Sequence, residues 1–225
     1  MKYEILYKDA CPLIKVNLEH GEKMKAESGA MVSMSTTIDV TGKAEGGIMK
    51  GLGRMLAGEK FFFQILDASR GAGEVLLAPA TIGSISDVVL DGSYDLCVQK
   101  DGFLAATEHI EVESKMQNLT KGLFSGEGFF VVNIKGKGTV FLNSLGAVHS
   151  VEIPAGEEVI IDNSHLVAWP NYMKYTIEKA SKTIMSSLTS GEGLVCKFQG
   201  PGTVLIQSRN PEAFGSWLKR FIPAK

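Results

Sequence analysis

Cysteine is scarce: Cys11, Cys97 and Cys196 are the only three in 225 residues, an odd number, far apart and in no C-x-x-C spacing. This argues against a disulfide framework and a zinc-ribbon pattern, and makes a reducing cytoplasm the expected compartment. Long apolar runs are also missing. The longest stretch free of Lys, Arg, Asp and Glu is the 14 residues from Gly138 to Val151, broken by Gly146 and His149 and too short to span a bilayer. The N-terminus Met1-Lys2-Tyr3-Glu4 lacks the apolar core of a secretory signal, so none is expected. Nor is there an excess of charge of one sign: 23 Lys plus Arg face 25 Asp plus Glu, for a formal net charge of −2 and a pI near 6.1. No global field gathers phosphates, and Lys135 with Lys137 or Lys219 with Arg220 are isolated pairs without interleaved aromatics, so nucleic acid is not an expected partner.

Signatures of chemistry are equally thin. His20, His109, His149 and His165 are scattered, with no H-x-H or H-E-x-x-H, so no metal is expected. There is no Gly-x-Ser-x-Gly elbow. Gly46 to Arg54, although glycine-rich, matches neither phosphate-loop pattern. No catalytic set and no cofactor are therefore assigned.

What is abundant is glycine, 25 residues against 7 prolines, in a chain that is 44% hydrophobic and only 21% charged. That composition excludes disorder as the use of the glycine and leaves turns, hence many strands. A string recurs three times: Gly58-Glu59-Lys60-Phe61-Phe62-Phe63, Gly126-Glu127-Gly128-Phe129-Phe130-Val131 and Gly191-Glu192-Gly193-Leu194-Val195-Cys196, spaced 68 and 65 residues apart. Each is followed by a Gly-x-Gly (Gly71 with Gly73, Gly136 with Gly138, Gly200 with Gly202) and another apolar run. A third marker, Gly21, Gly92 and Gly156, keeps nearly the same period. Shared phase points to an internal triplication. Short β-branched and aromatic runs separated by these glycines predict antiparallel hairpins, with Gly58, Gly126, Gly191, Gly138 and Gly202 as structural turns. The expected fold is all-β: three tandem antiparallel sandwich or barrel-like modules with pseudo-threefold symmetry, residues 1–84, 85–150 and 151–210. They pack as one body because units of this size bury too little surface alone. Residues 211–225 form a C-terminal helix and tail, with Phe214, Trp217, Leu218 and Phe221 on one face.

Gly-Glu-x-Phe-Phe after a Gly- and Met-rich stretch, the segment Gly200 to Arg209 and the threefold repeat together resemble a poorly characterised prokaryotic family. That family is related to the fungal altered-inheritance-of-mitochondria protein. The resemblance covers essentially the whole chain and implies a fold like that of the trp RNA-binding attenuation protein, with three β modules. It implies no catalytic residues.

Before each Gly-Glu lies an apolar connection: Met49, Leu52, Met55 and Leu56; then Met116, Leu119, Leu123 and Phe124; then Ile184, Met185 and Leu188. Two readings stand: a docking surface for another subunit, a partner or a membrane, or a plug for the open end of each module. Glu59, Glu127 and Glu192 could likewise ring an axis for a cation or simply cap strand entries. The expected function is a non-enzymatic scaffold or interaction protein, acting as an oligomer or at a membrane surface. The alternative is a small-ligand or RNA-binding regulator of the attenuation-protein type, and a third reading is an enzyme with a site between modules.

Overall fold

The computed structural model describes residues 1–8, 10–43, 63–116, 130–179 and 194–223. These form 18 strands in three sheets, with one α-helix near the C-terminus. The first seven strands are β1 (Lys2–Leu6), β2 (Leu13–Leu18), β3 (Lys23–Glu27), β4 (Met31–Met34), β5 (Asp39–Lys43), β6 (Phe63–Asp67) and β7 (Gly73–Leu77). Next come β8 (Ile85–Asp91), β9 (Leu96–Gln99), β10 (Phe103–Thr107), β11 (Ile110–Met116) and β12 (Phe130–Asn143). The last six are β13 (Val148–Ile153), β14 (Glu158–Asp162), β15 (Leu166–Pro170), β16 (Lys174–Lys179), β17 (Leu194–Gln199) and β18 (Gly202–Gln207).

Period-two alternation decides which face of each strand is buried. In β2, Ile14, Val16 and Leu18 point inward while Lys15 and Asn17 do not, and in β3 Met24 and Ala26 do the same. These residues join Leu66, Val75 and Leu77 in a first core, which Ile85, Leu104 and Phe141 extend into the next part of the chain. A second core gathers Leu96, Val98, Phe103, Ile134 and Val167. In a third, Trp169 meets the rings of Tyr175 and Phe198 at 5.4 and 5.6 Å.

One order of pairing occurs three times along the chain. β2, β8 and β13 pair with β7, the second half of β12 and β18, which pair in turn with β4, β10 and β15. β3, β9 and β14 pair with β6, the first half of β12 and β17, which pair in turn with β5, β11 and β16. Two further pairings, β3 with β10 and β9 with β15, join one set to the next. Among the described residues this series is open: β4 pairs only with β7, and β14 only with β17.

The glycine turns need correction. The sequence predicts hairpins at Gly-x-Gly, yet β6 and β7 pair with different neighbours and not with each other, as do β17 and β18. In the middle set there is no turn at all, because β12 runs unbroken for 14 residues, its first half paired with β11 and β9 and its second with β8 and β10. These glycines are corners at which the chain exchanges one pair of neighbouring strands for another, and a corner brings backbones and side chains too close for a Cβ. At Gly138 (φ +149°) an added Cβ would lie 2.0 Å from Thr107 Oγ1, and at Gly202 (φ +159°) 2.5 Å from Met173 Sδ. Gly58, Gly126 and Gly191 lie outside the described residues.

The C-terminal helix, α1 (Pro211–Lys219), begins where Asn210 Oδ1 accepts from the Glu212 and Ala213 amides at 2.9 and 3.1 Å, with proline in the first turn. It stops at Lys219, so Phe221 of the predicted apolar face lies just beyond it.

Candidate functional site

The apolar connections singled out in the sequence, Met49, Leu52, Met55 and Leu56, then Leu119, Leu123 and Phe124, then Ile184 and Leu188, lie outside the described residues, as do Glu59, Glu127 and Glu192. The described residues bring together a different site. A cleft of about 460 Å³ opens between the second and third sets of strands and the start of α1.

Two short 3-10 turns, Lys100–Gly102 and Asn163–His165, contribute to its wall. Each is held by the side chain just before it: Gln99 Oε1 accepts from the Asp101 amide at 3.3 Å and Asp162 Oδ1 from the Ser164 amide at 2.9 Å. Behind each turn stands a buried amide at the end of a core strand. Gln207 Nε2 donates to the Ser164 carbonyl and its Oε1 accepts from the Leu145 amide, both at 2.8 Å. Asn143, in the orientation its neighbours demand, turns Nδ2 to the Asp101 and Gly102 carbonyls at 2.7 and 3.1 Å. The rim is tied by Gly146, whose amide donates to the Ile82 carbonyl at 3.0 Å and whose carbonyl accepts from the Ser84 amide at 2.8 Å. Asn210 docks the helix on this frame by donating from Nδ2 to Ser164 Oγ at 2.7 Å.

The cleft is lined by apolar Ile82, Leu145, Leu166, Val167 and Phe214 and by a polar set including Thr81, Gln99, Asn163 and Ser164. Its charged lining residues are the carboxylates Asp101 and Glu212. A neutral or cationic ligand rich in hydrogen-bond donors matches that lining; a phosphate does not. Close to Asp101, the carboxyl of Glu27 is pushed up to about 7, by burial first and by the Asp101 charge second.

Other sequence candidates fall elsewhere. Burial, and then the Asp162 charge, push the Cys196 thiol up to about 12, so it is not poised as a nucleophile. Rings of His20 and His165 sit on the Ser69 and Gln207 carbonyls at 3.2 and 2.6 Å. Among the described residues no three metal-capable side chains converge, and no helix is long and apolar enough to cross a membrane. Sequence reading missed the amide pair, although a signal exists: Asn143 and Gln207 each stand five residues after the second glycine of their Gly-x-Gly, where the first copy has Ala78.

Beside the cleft, α1 carries an aromatic stack in the open. Phe214 lies 5.9 Å from Trp217, and Trp217 lies 5.0 Å from Phe221, all three exposed along with Leu218 and Ile222.

Comparison with known proteins gives a consistent picture. A family model described as Mitochondrial biogenesis AIM24 matches residues 3–209. An uncharacterised protein of Streptococcus pyogenes serotype M6 is 33% identical over 219 residues, covering 94% of this chain and 87% of that protein. The altered inheritance of mitochondria protein 24 of the fungus Talaromyces marneffei is 23% identical over 247 residues, and the match spans 58% of that longer protein. A crystal structure of a Streptococcus pyogenes protein superposes with a TM-score of 0.83 at 32% identity, covering 98% of this chain and 99% of that one.

Proposed function

Because the chain belongs to the AIM24 family, whose description names mitochondrial biogenesis and no reaction, we propose that it is a non-enzymatic β scaffold whose work is contact, made at a lipid surface by α1. The observation that carries this is the exposed stack of Phe214, Trp217 and Phe221. A helix end that presents Trp, Phe and Leu together with Lys219 and Arg220 has the composition of an element that lies in a headgroup layer. Burying those rings in the acyl boundary removes them from water, and the two cations meet anionic lipid.

The body behind the helix is read as a triplicated module of the attenuation-protein type, supported by the thrice-repeated pairing order and by the register shift that recurs in β4, β10 and β15. A second reading, a small-ligand site, is favoured by the amide-rich cleft; RNA phosphate there would face Asp101 and Glu212.

The test uses Trp217 as its own reporter, since the only other tryptophan, Trp169, is buried. Vesicles of phosphatidylcholine mixed with phosphatidylserine should shift Trp217 emission to the blue and carry the protein on flotation. The double substitution Trp217→Ala, Phe221→Ala should abolish flotation while leaving the thermal melt unchanged. Absence of both shift and flotation with wild type would overturn the reading.

A further inference from the structure

Within the chain, one kind of seam is made twice. β3 pairs with β10, Ala26 opposite Ala105 and Lys25 opposite Ala106; β9 pairs with β15, Val98 opposite Ala168 and Cys97 opposite Trp169. In both, the third residue of the later strand faces the penultimate residue of the earlier one. β4 holds the same place in the pairing order as β10 and β15. It carries the same one-residue register shift, between Met31 and Ser33 where the others have it between Phe103 and Ala105 and between Leu166 and Ala168. β14 likewise holds the place of β3 and β9.

Among the described residues, the two strands at the ends of the series have no such seam. Their exposure shows it. Leu104 and Val167, second in β10 and β15, are 0% and 1% exposed, whereas Val32, second in β4, is 55% exposed. Cys97, third from the end of β9's Leu96–Gln99 run, is 8% exposed against 64% for Ile160 at the matching place in β14. Among the described residues each end therefore presents an apolar edge that pairs with no further strand, a template for another strand.

We propose that the missing seam is made by a second copy of this chain: β14 of one copy pairs antiparallel with β4 of the next, Ile161 opposite Ser33 and Ile160 opposite Met34. The occupant follows from continuity, because the same strand pair already docks twice inside every molecule, and each edge is complementary to the opposite end rather than to itself. Such an interface is heterologous, so assembly continues past the dimer until a ring closes or a filament forms. This surface is separate from α1, and its fate is independent of whether α1 binds lipid.

The test is a mixing experiment on the full chain, read as mass in solution by sedimentation or light scattering. Wild type should assemble beyond a dimer with rising concentration. Val32→Lys keeps β14 and spoils β4; Ile160→Lys keeps β4 and spoils β14. Both sites are exposed, so each variant should remain folded by circular dichroism and be a monomer alone. An equal mixture should form a dimer and stop there, since only one intact β4 meets one intact β14. Met34→Lys serves in place of Val32→Lys if the latter does not fold. A monomeric wild type, assembly by either variant alone, or a mixture that stays monomeric overturns the proposal.

Discussion

Replacing Glu27 with Gln tests the electrostatics of the joint between the first two sets of strands. Glu27 ends β3, its carbonyl accepts from the Ala30 amide at 3.1 Å and from Gln64 Nε2 at 3.3 Å, and its carboxyl is pushed up to about 7 by burial and then by Asp101. The folded protein holds this proton more tightly than the unfolded chain, whose carboxyl titrates near 4.5. Its contribution to stability is therefore fully present below that value and is lost as pH rises through about 7. A difference of about 2.5 units corresponds to a ceiling of about 3.4 kcal/mol, and because the group is partly open to water the expected penalty is about 1–2 kcal/mol. Gln keeps the shape and cannot ionise. Urea unfolding of Glu27→Gln and wild type should show nearly equal stability close to pH 4.5 and an advantage for the variant of about 1–2 kcal/mol near pH 8. An advantage of the same size at both pH values, or a variant less stable than wild type near pH 8, would refute the reasoning. Asp101→Asn should reproduce only a minor part of the effect, since burial is the larger cause.

Gln207→Ala strips partners from the Leu145 amide and the Ser164 carbonyl, and should lower stability by about 2–4 kcal/mol in denaturant unfolding. A loss below about 0.5 kcal/mol would show that water replaces the amide without cost. Gly138→Ala forces a methyl against Thr107 Oγ1, which itself accepts from the Thr139 amide at 3.1 Å, and should cost about 2–3 kcal/mol. Gly202→Ala should cost less, because the atoms it meets belong to the flexible Met173 side chain; the reverse order in thermal melts would contradict the corner geometry.

Much of this architecture is legible in the sequence. The alternation in Leu13–Leu18, the recurring glycines and the i, i+3, i+4, i+7 face ending in Phe221 all record local geometry; strands and α1 appear near where those patterns place them, while the Gly-x-Gly positions are corners and not the hairpin turns expected. The candidate site is another matter. Met49, Leu52 and their counterparts stand out because methionine and leucine cluster in sequence, whereas Asn143, Gln207, Asp101 and Glu212 meet from four separate elements and leave only a faint trace in the repeat. A buried amide becomes informative once the carbonyl it holds is known.

By itself, the sequence determined that this protein is built from strands, that one pattern of glycine and apolar runs returns with a nearly constant period, and that an amphipathic helix closes the described chain. These are properties of neighbours along the backbone, where side-chain periodicity and the steric freedom of glycine act directly. Only the tertiary structure decided that Gly136 and Gly138 sit within one continuous strand, that β3 with β10 and β9 with β15 make the seams, and that β4 and β14 are left at the ends among the described residues. Strand pairing is a choice among distant partners with similar edges, and the choice is made by which faces are buried together once the whole chain has packed.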